Sequence, residues 1–165
     1  MQKSLPDLRM PPVLKEQVCR IDTVIVGIRH YDGKNYLPGP MQFDRNPWNK
    51  YDENAIEVHT ICDGVKHMVG HLRKELAVVL ADSMDMEEIE IHGLVSVSEI
   101  PQFEYVIPIY LDIWTSSGKA NLKRMLMKNL QHNQHYTLDY NVTAFMPMVI
   151  RQFDGMFRSI QAVGC

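Results

Sequence analysis

The alternation of apolar and polar positions is mostly that of strands. From Cys19 the run "CRIDTVIVGIRHYDG" gathers Ile21, Val24, Ile25, Val26 and Ile28, a β-branched density that predicts a strand. Gly27 inside it predicts a bulge or a close backbone approach. "DGKNYLPGP" (32–40) is turn chemistry and leads to a short strand at "MQFDR". "NAIEVHTI" alternates again, and Asp63-Gly64 predicts a hairpin into "VKHMVG". In "HLRKELAVVLADSMD", Leu72, Leu76, Val79, Leu80 and Met84 fall near helical spacing, with Arg73, Lys74 and Glu75 on the other side. That predicts one amphipathic helix. "EEIEIHGLVSVSEI" and "YVIPIYLDIW" return to alternation, Pro108 predicting an edge or a bulge in the second.

The pattern amounts to at least six strands and one firm helix joined largely by hairpin-like turns, as in a small antiparallel barrel or sandwich. Three regions are expected: an N-terminal tail over 1–18, a β domain over 19–115 and a C-terminal extension over 116–165. The extension carries a short helix around 119–130 and an apolar, Met-rich stretch, "FMPMVIRQFDGMF".

Composition narrows the picture. Hydrophobic content of 45% against 22% charged residues is that of a globular chain. No run approaches the roughly 18 apolar residues of a membrane span, and the proline-broken start predicts no secretory signal. An intracellular protein is expected. Cys19, Cys62 and Cys165 are widely spaced and odd in number, which argues against a disulfide framework. A net charge of −3 counts against gripping long duplex DNA through many phosphates, yet leaves room for a small site touching a few.

Three stretches carry candidate chemistry, each with a bland alternative. In "GIRHYDG", Arg29 offers a fork for a phosphate, and His30 and Tyr31 offer flat rings for nucleobases; the alternative is a polar strand end. In "NPWNKYDENAIEV" (46–58), Tyr51 is a stacking platform and Asp52 an acceptor beside it. A carboxylate repels phosphate, so it suits a strand only where a free 3′-hydroxyl replaces the next link. Asp52 and Asn54 otherwise serve the turn, and Tyr51 the core. In "VGHLRKELA" (69–77), a strand–helix junction at Gly70-His71 offers first-turn N–H groups to an anion, with Lys74 close by; the alternative is a surface lysine on an amphipathic helix.

No metal or cofactor is expected. Cys62, His67 and His71, with His132 and His135 downstream, resemble half a zinc site, but a second cysteine at ligand spacing is missing. No nucleophile elbow, phosphate-binding loop or H-E-x-x-H motif is present, so catalysis is not expected.

Taken together and in order, "VIVGIRHYDG", "NPWNKYDENAIEV" and "VGHLRKELAVVLADSMD" resemble the HIRAN domain of Rad5-like and helicase-like transcription factor proteins, over roughly residues 19–115. The resemblance implies a mainly β, OB-like barrel and recognition of single-stranded DNA at its 3′ end, used in repair and fork processing in the nucleus. It implies that Arg29, His30 and Tyr31 form the family's Arg-aromatic-aromatic triplet. Asn49, Tyr51 and Asp52 would meet the terminal base and its 3′-hydroxyl, His71 and Lys74 would lie near the phosphate, and Tyr105 would line the pocket. His30 stands where DNA-binding members have tyrosine, and Lys50 where they have proline. The helicase motifs and RING finger of the large members are absent from this sequence. A non-enzymatic DNA-binding module is therefore expected; the alternative is a protein-interaction domain that uses 116–165.

Overall fold

A computed structural model describes residues 13–96 and 105–132, together with the backbone of 137–139. In chain order the elements are β1 (Lys15–Val26), β2 (Met41–Arg45), β3 (Ile56–Cys62), β4 (Val65–Leu72), α1 (Lys74–Asp85), β5 (Ile89–Val95), β6 (Ile107–Ser116), α2 (Ala120–Gln131) and β7 (Thr137–Asp139). The strands form one antiparallel sheet in the order β2-β3-β4-β1-β6-β5, with β7 beside β1. The Met-rich stretch proposed to dock a partner lies outside the described residues.

Period-2 burial explains the sheet. Ile56, Val58, Thr60 and Cys62 turn inward from β3, and Ile107, Ile109, Leu111 and Ile113 from β6. Helical spacing adds Leu76, Ala77 and Leu80 from α1, and Leu122, Leu126 and Leu130 from α2. Fully burying each large aliphatic side chain contributes about 1.5–3 kcal/mol. The β3–β4 hairpin turns through Asp63 (φ 49°) and Gly64 (φ 76°), the left-handed pair that Asp-Gly predicts. Cys19 is buried with a free thiol pushed up to about 12, first by burial and then by the Asp112 carboxylate. Cys62 is disulfide-bonded, which corrects the expectation, drawn from the odd number and wide spacing of the cysteines, that the chain carries no disulfide framework.

Four local expectations need correction. β1 starts at Lys15 and ends before Gly27, whose left-handed backbone (φ 74°) closes the strand instead of bulging it. β4 runs through His71 and Leu72, so the helix begins at Lys74. Leu72 lies in phase with Leu76 and Leu80, but ladder pairing of Ile25 with Leu72 and of Val26 with His71 holds these residues extended. β6 lies inside the sheet, between β1 and β5. Pro108 is tolerated because the β5–β6 ladder ends at Val95 opposite Ile109; beyond it only the Pro108 carbonyl is used, accepting from Ser96 N–H at 3.0 Å.

Finally, the barrel is not closed by hydrogen bonds. Its end strands β2 and β5 meet through side chains: a Cβ at Gly93 would stand 2.4 Å from Phe43 Cζ and 3.1 Å from Met41 Sδ. Between these strands lies a cleft of about 500 Å3.

Candidate nucleic-acid interface

Where β1 ends, Gly27 sends the chain into a short 3-10 turn, Ile28–His30. Buried Ile28 pins this turn, leaving Arg29 and His30 exposed and Tyr31 half-buried. The Arg29 guanidinium lies 5.2 Å from the centre of the exposed Tyr105 ring. His30 and Tyr31 meet edge to face at 6.3 Å, and Tyr31 tilts against His71 at 5.9 Å. The triplet and Tyr105 thus surround one strand end.

His71 is the joint of the site. It pairs with Val26 of β1 on one side and Glu57 of β3 on the other. Gly70 before it permits this crossing, because a Cβ there would stand 2.3 Å from the Val26 carbonyl oxygen. Burial holds the imidazole below the ordinary histidine range; the Glu57 carboxylate opposes that shift, His59 adds to it, and the Asp52 carboxylate opposes it. Its Nε2 is enclosed and has no hydrogen-bond partner among the described residues.

The second half of the site is the loop between β2 and β3. Asn46 donates from its side-chain amide to Glu57 Oε1 at 2.7 Å and accepts from Trp48 N–H at 3.2 Å. Asn49 Oδ1 accepts from the N–H groups of both Tyr51 and Asp52, at 2.9 and 3.2 Å. These are Asx turns, made locally by side chains that mimic backbone. The outcome is an 81% exposed Tyr51, which rules out a core role for that ring. Lys50 covers it with an ammonium 4.7 Å from the ring centre. Asp52 is half-buried; Oδ1 accepts the Asn54 N–H at 3.0 Å, and Oδ2 has no hydrogen bond among the described residues. One oxygen therefore serves the turn and the other remains to meet something else.

Lys74 is exposed and opens α1 after Arg73, which makes no side-chain cap. Among the described residues no hydrogen bond, ion pair or cation–ring contact joins it to either half of the site. The two halves are linked through His71, which packs on Tyr31 and feels the Asp52 charge. The histidines weighed for zinc face different neighbours: His67 stacks on Tyr36 at 3.9 Å, whereas His71 turns to Tyr31.

Two residues escaped the sequence reading. Arg45 donates to the carbonyls of Ala55 and Glu53 at 2.7 and 3.0 Å, bracing the far limb of the loop; as a tertiary contact it leaves no local signal. Trp48 is 91% exposed. An aromatic flanked by proline and asparagine was the available cue.

Fold and site together define a small OB-like β domain that presents exposed rings and a half-buried carboxylate from its loops. The HIRAN domain model matches residues 18–117, and the chain belongs to the HIRAN domain family. It is 37% identical over 107 residues to the human helicase-like transcription factor, covering 65% of this chain and 10% of that protein. It is also 37% identical over 92 residues to a Fanconi-associated nuclease 1 homolog of Oryza sativa subsp. japonica, covering 55% of this chain and 9% of the relative. The chain therefore spans about a tenth of the length of the curated relatives it matches. The crystal structure of the human HLTF HIRAN domain superposes with a TM-score of 0.60 at 27% identity, over 72% of this chain and 91% of that one. The NMR structure of the HLTF HIRAN domain in its DNA-bound conformation superposes with a TM-score of 0.55 at 27% identity, over 72% and 90%. Among the described residues no helix is long and apolar enough to cross a membrane.

Proposed function

We propose that this domain binds single-stranded DNA at an end carrying a free 3′-hydroxyl, without catalysing a reaction on it. The observation that carries the reading is Asp52: a carboxylate that follows an 81% exposed ring in sequence, with one oxygen occupied by its own turn and the other without a hydrogen-bond partner among the described residues. A negative group in that position opposes an internal phosphate and accepts from a terminal alcohol. The two terminal bases stack between His30 and Tyr51, with Tyr31 and Tyr105 lining the pocket. Arg29 and Lys74 neutralise phosphates behind them, while Asn49 and His71 hold the loop and strand in place. The relative solved in a DNA-bound conformation supports DNA as the ligand. DNA repair or fork processing in the nucleus is the setting in which such a module fits.

Stacking contributes on the order of 1–3 kcal/mol per base. With few phosphates engaged, affinity is modest and its salt dependence shallow. Fluorescence anisotropy with matched oligonucleotides ending in 3′-OH or 3′-phosphate tests the reading. The hydroxyl end binds more tightly, and Asp52→Asn narrows the difference. Equal affinity of the unaltered protein for both ends removes Asp52 from this role.

A further inference from the structure

The geometry points to Trp48 as a further nucleobase platform, one that takes a base farther from the 3′ end than the terminal pair; this rests on the end-binding reading above. Trp48 is 91% exposed, more than any other large hydrophobic side chain among the described residues. The chain's other tryptophan, Trp114, is half-buried and packs edge-on to His92 at 6.4 Å. Among the described residues the Trp48 indole makes no comparable ring contact.

Its backbone is nonetheless fixed. The Trp48 N–H donates to Asn46 Oδ1 at 3.2 Å, and the Asn49 N–H to the Asn46 carbonyl at 3.1 Å. Asn46 is itself tied to Glu57 at 2.7 Å. The ring is thus presented from a braced turn, three residues before Tyr51, with Lys50 between the two in sequence. Two flat faces with a cation between them suit a single strand, because every base offers a π-face and its phosphate pairs with the cation. A protein partner would require apolar surface around the ring to form a dry contact. Its neighbours in sequence are polar at Asn46, Asn49 and Lys50, with Pro47 the one apolar exception, which favours a nucleobase.

The test titrates the protein with 3′-OH oligothymidylates of two, four and six nucleotides. Tryptophan emission is read with unlabelled strands and anisotropy with labelled ones, in wild type, Trp48→Ala and Trp48→Phe. The expected result is emission quenching by the four- and six-nucleotide strands. Trp48→Ala loses about ten-fold in affinity for these strands and keeps its affinity for the dinucleotide. Trp48→Phe, which retains a ring, recovers part of the loss. Unchanged affinity of Trp48→Ala for the hexanucleotide overturns the proposal, as does an equal loss at all three lengths. Failure of the underlying reading looks different: Tyr51→Ala then binds as wild type, and 3′-OH and 3′-phosphate ends are not distinguished.

Discussion

Arg45 and Asp85 form a two-point ion pair, Nε to Oδ1 at 3.0 Å and Nη2 to Oδ2 at 3.2 Å. The same guanidinium holds the carbonyls of Ala55 and Glu53. One side chain, only 12% exposed, thereby ties the site loop to the end of α1. The planar fork makes this possible, since it reaches several acceptors that a single ammonium cannot span together.

Arg45→Lys keeps the charge and loses the fork. It is expected to destabilise the fold by about 1–2 kcal/mol, because carbonyls and a carboxylate lose charged hydrogen bonds. Affinity for a 3′-OH oligonucleotide should fall several-fold as the loop loosens. Thermal melting and amide exchange over residues 46–55 check this; unchanged exchange there would remove Arg45 as the brace.

Gly70→Ala probes the strand crossing under His71. The added methyl would stand 2.3 Å from the Val26 carbonyl oxygen and 2.8 Å from Ile25 Cγ2, so β1 and β4 must separate. A loss of about 1–3 kcal/mol is expected, as for overpacking elsewhere. Gly64→Ala is the control for backbone strain, since Gly64 has φ 76° and open space around it. Both variants should lose stability, but only Gly70→Ala should shift the His71 ring resonances.

His71 sets a pH dependence. Burial holds its folded-state value below the ordinary 6.5, with Glu57 opposing, His59 adding and Asp52 opposing. The unfolded chain therefore takes up the proton first as pH falls, and the native state loses stability below about pH 6.5. Above that pH both states are neutral at this ring and the contribution is flat. Melting temperature should drop more between pH 7 and 5.5 in wild type than in His71→Gln. Two carboxyls act in a lower window. Burial pushes Asp44 up, but Lys66 and Gln42 hold it below its usual value; Glu90 is held down chiefly by the hydrogen bond from Lys15. Their stabilisation is lost only as pH falls through the carboxylate range. A wild-type profile flat from pH 7 to 5.5 would contradict the assignment.

Local signals explain what was legible beforehand. The β3–β4 hairpin was readable because Asp63 and Gly64 must both take positive φ and the flanking alternation agrees. The site loop was readable because its asparagines and Asp52 act on backbone within three residues. The start of α1 was not, since Leu72 fits the helical period while its pairing with Ile25 is set by a strand far away in sequence. The open seam was hidden for the same reason: it depends on Phe43 lying against Gly93. Whether Tyr51 and Trp48 face water is likewise decided by tertiary structure, and an aromatic in a loop looks the same in either case.

Lys50 supplies the last prediction. Its ammonium sits 4.7 Å from the centre of the Tyr51 ring, so it covers the ring that a base is proposed to use. Such a contact at an exposed site is worth about 0.5–1 kcal/mol, less than the roughly 1–3 kcal/mol of a stacked base. On the proposed reading a bound base is therefore expected to displace the ammonium, which would then lie beside the strand and pair with a phosphate. Lys50→Gln should accordingly flatten the slope of log affinity against log salt by about 0.7, the share of one phosphate on a single strand. Tyr51→Ala should weaken binding about ten-fold and leave the slope alone. Anisotropy titrations across a salt series separate the two variants. An unchanged slope in Lys50→Gln would mean that the ammonium never reaches a phosphate and serves only the free ring.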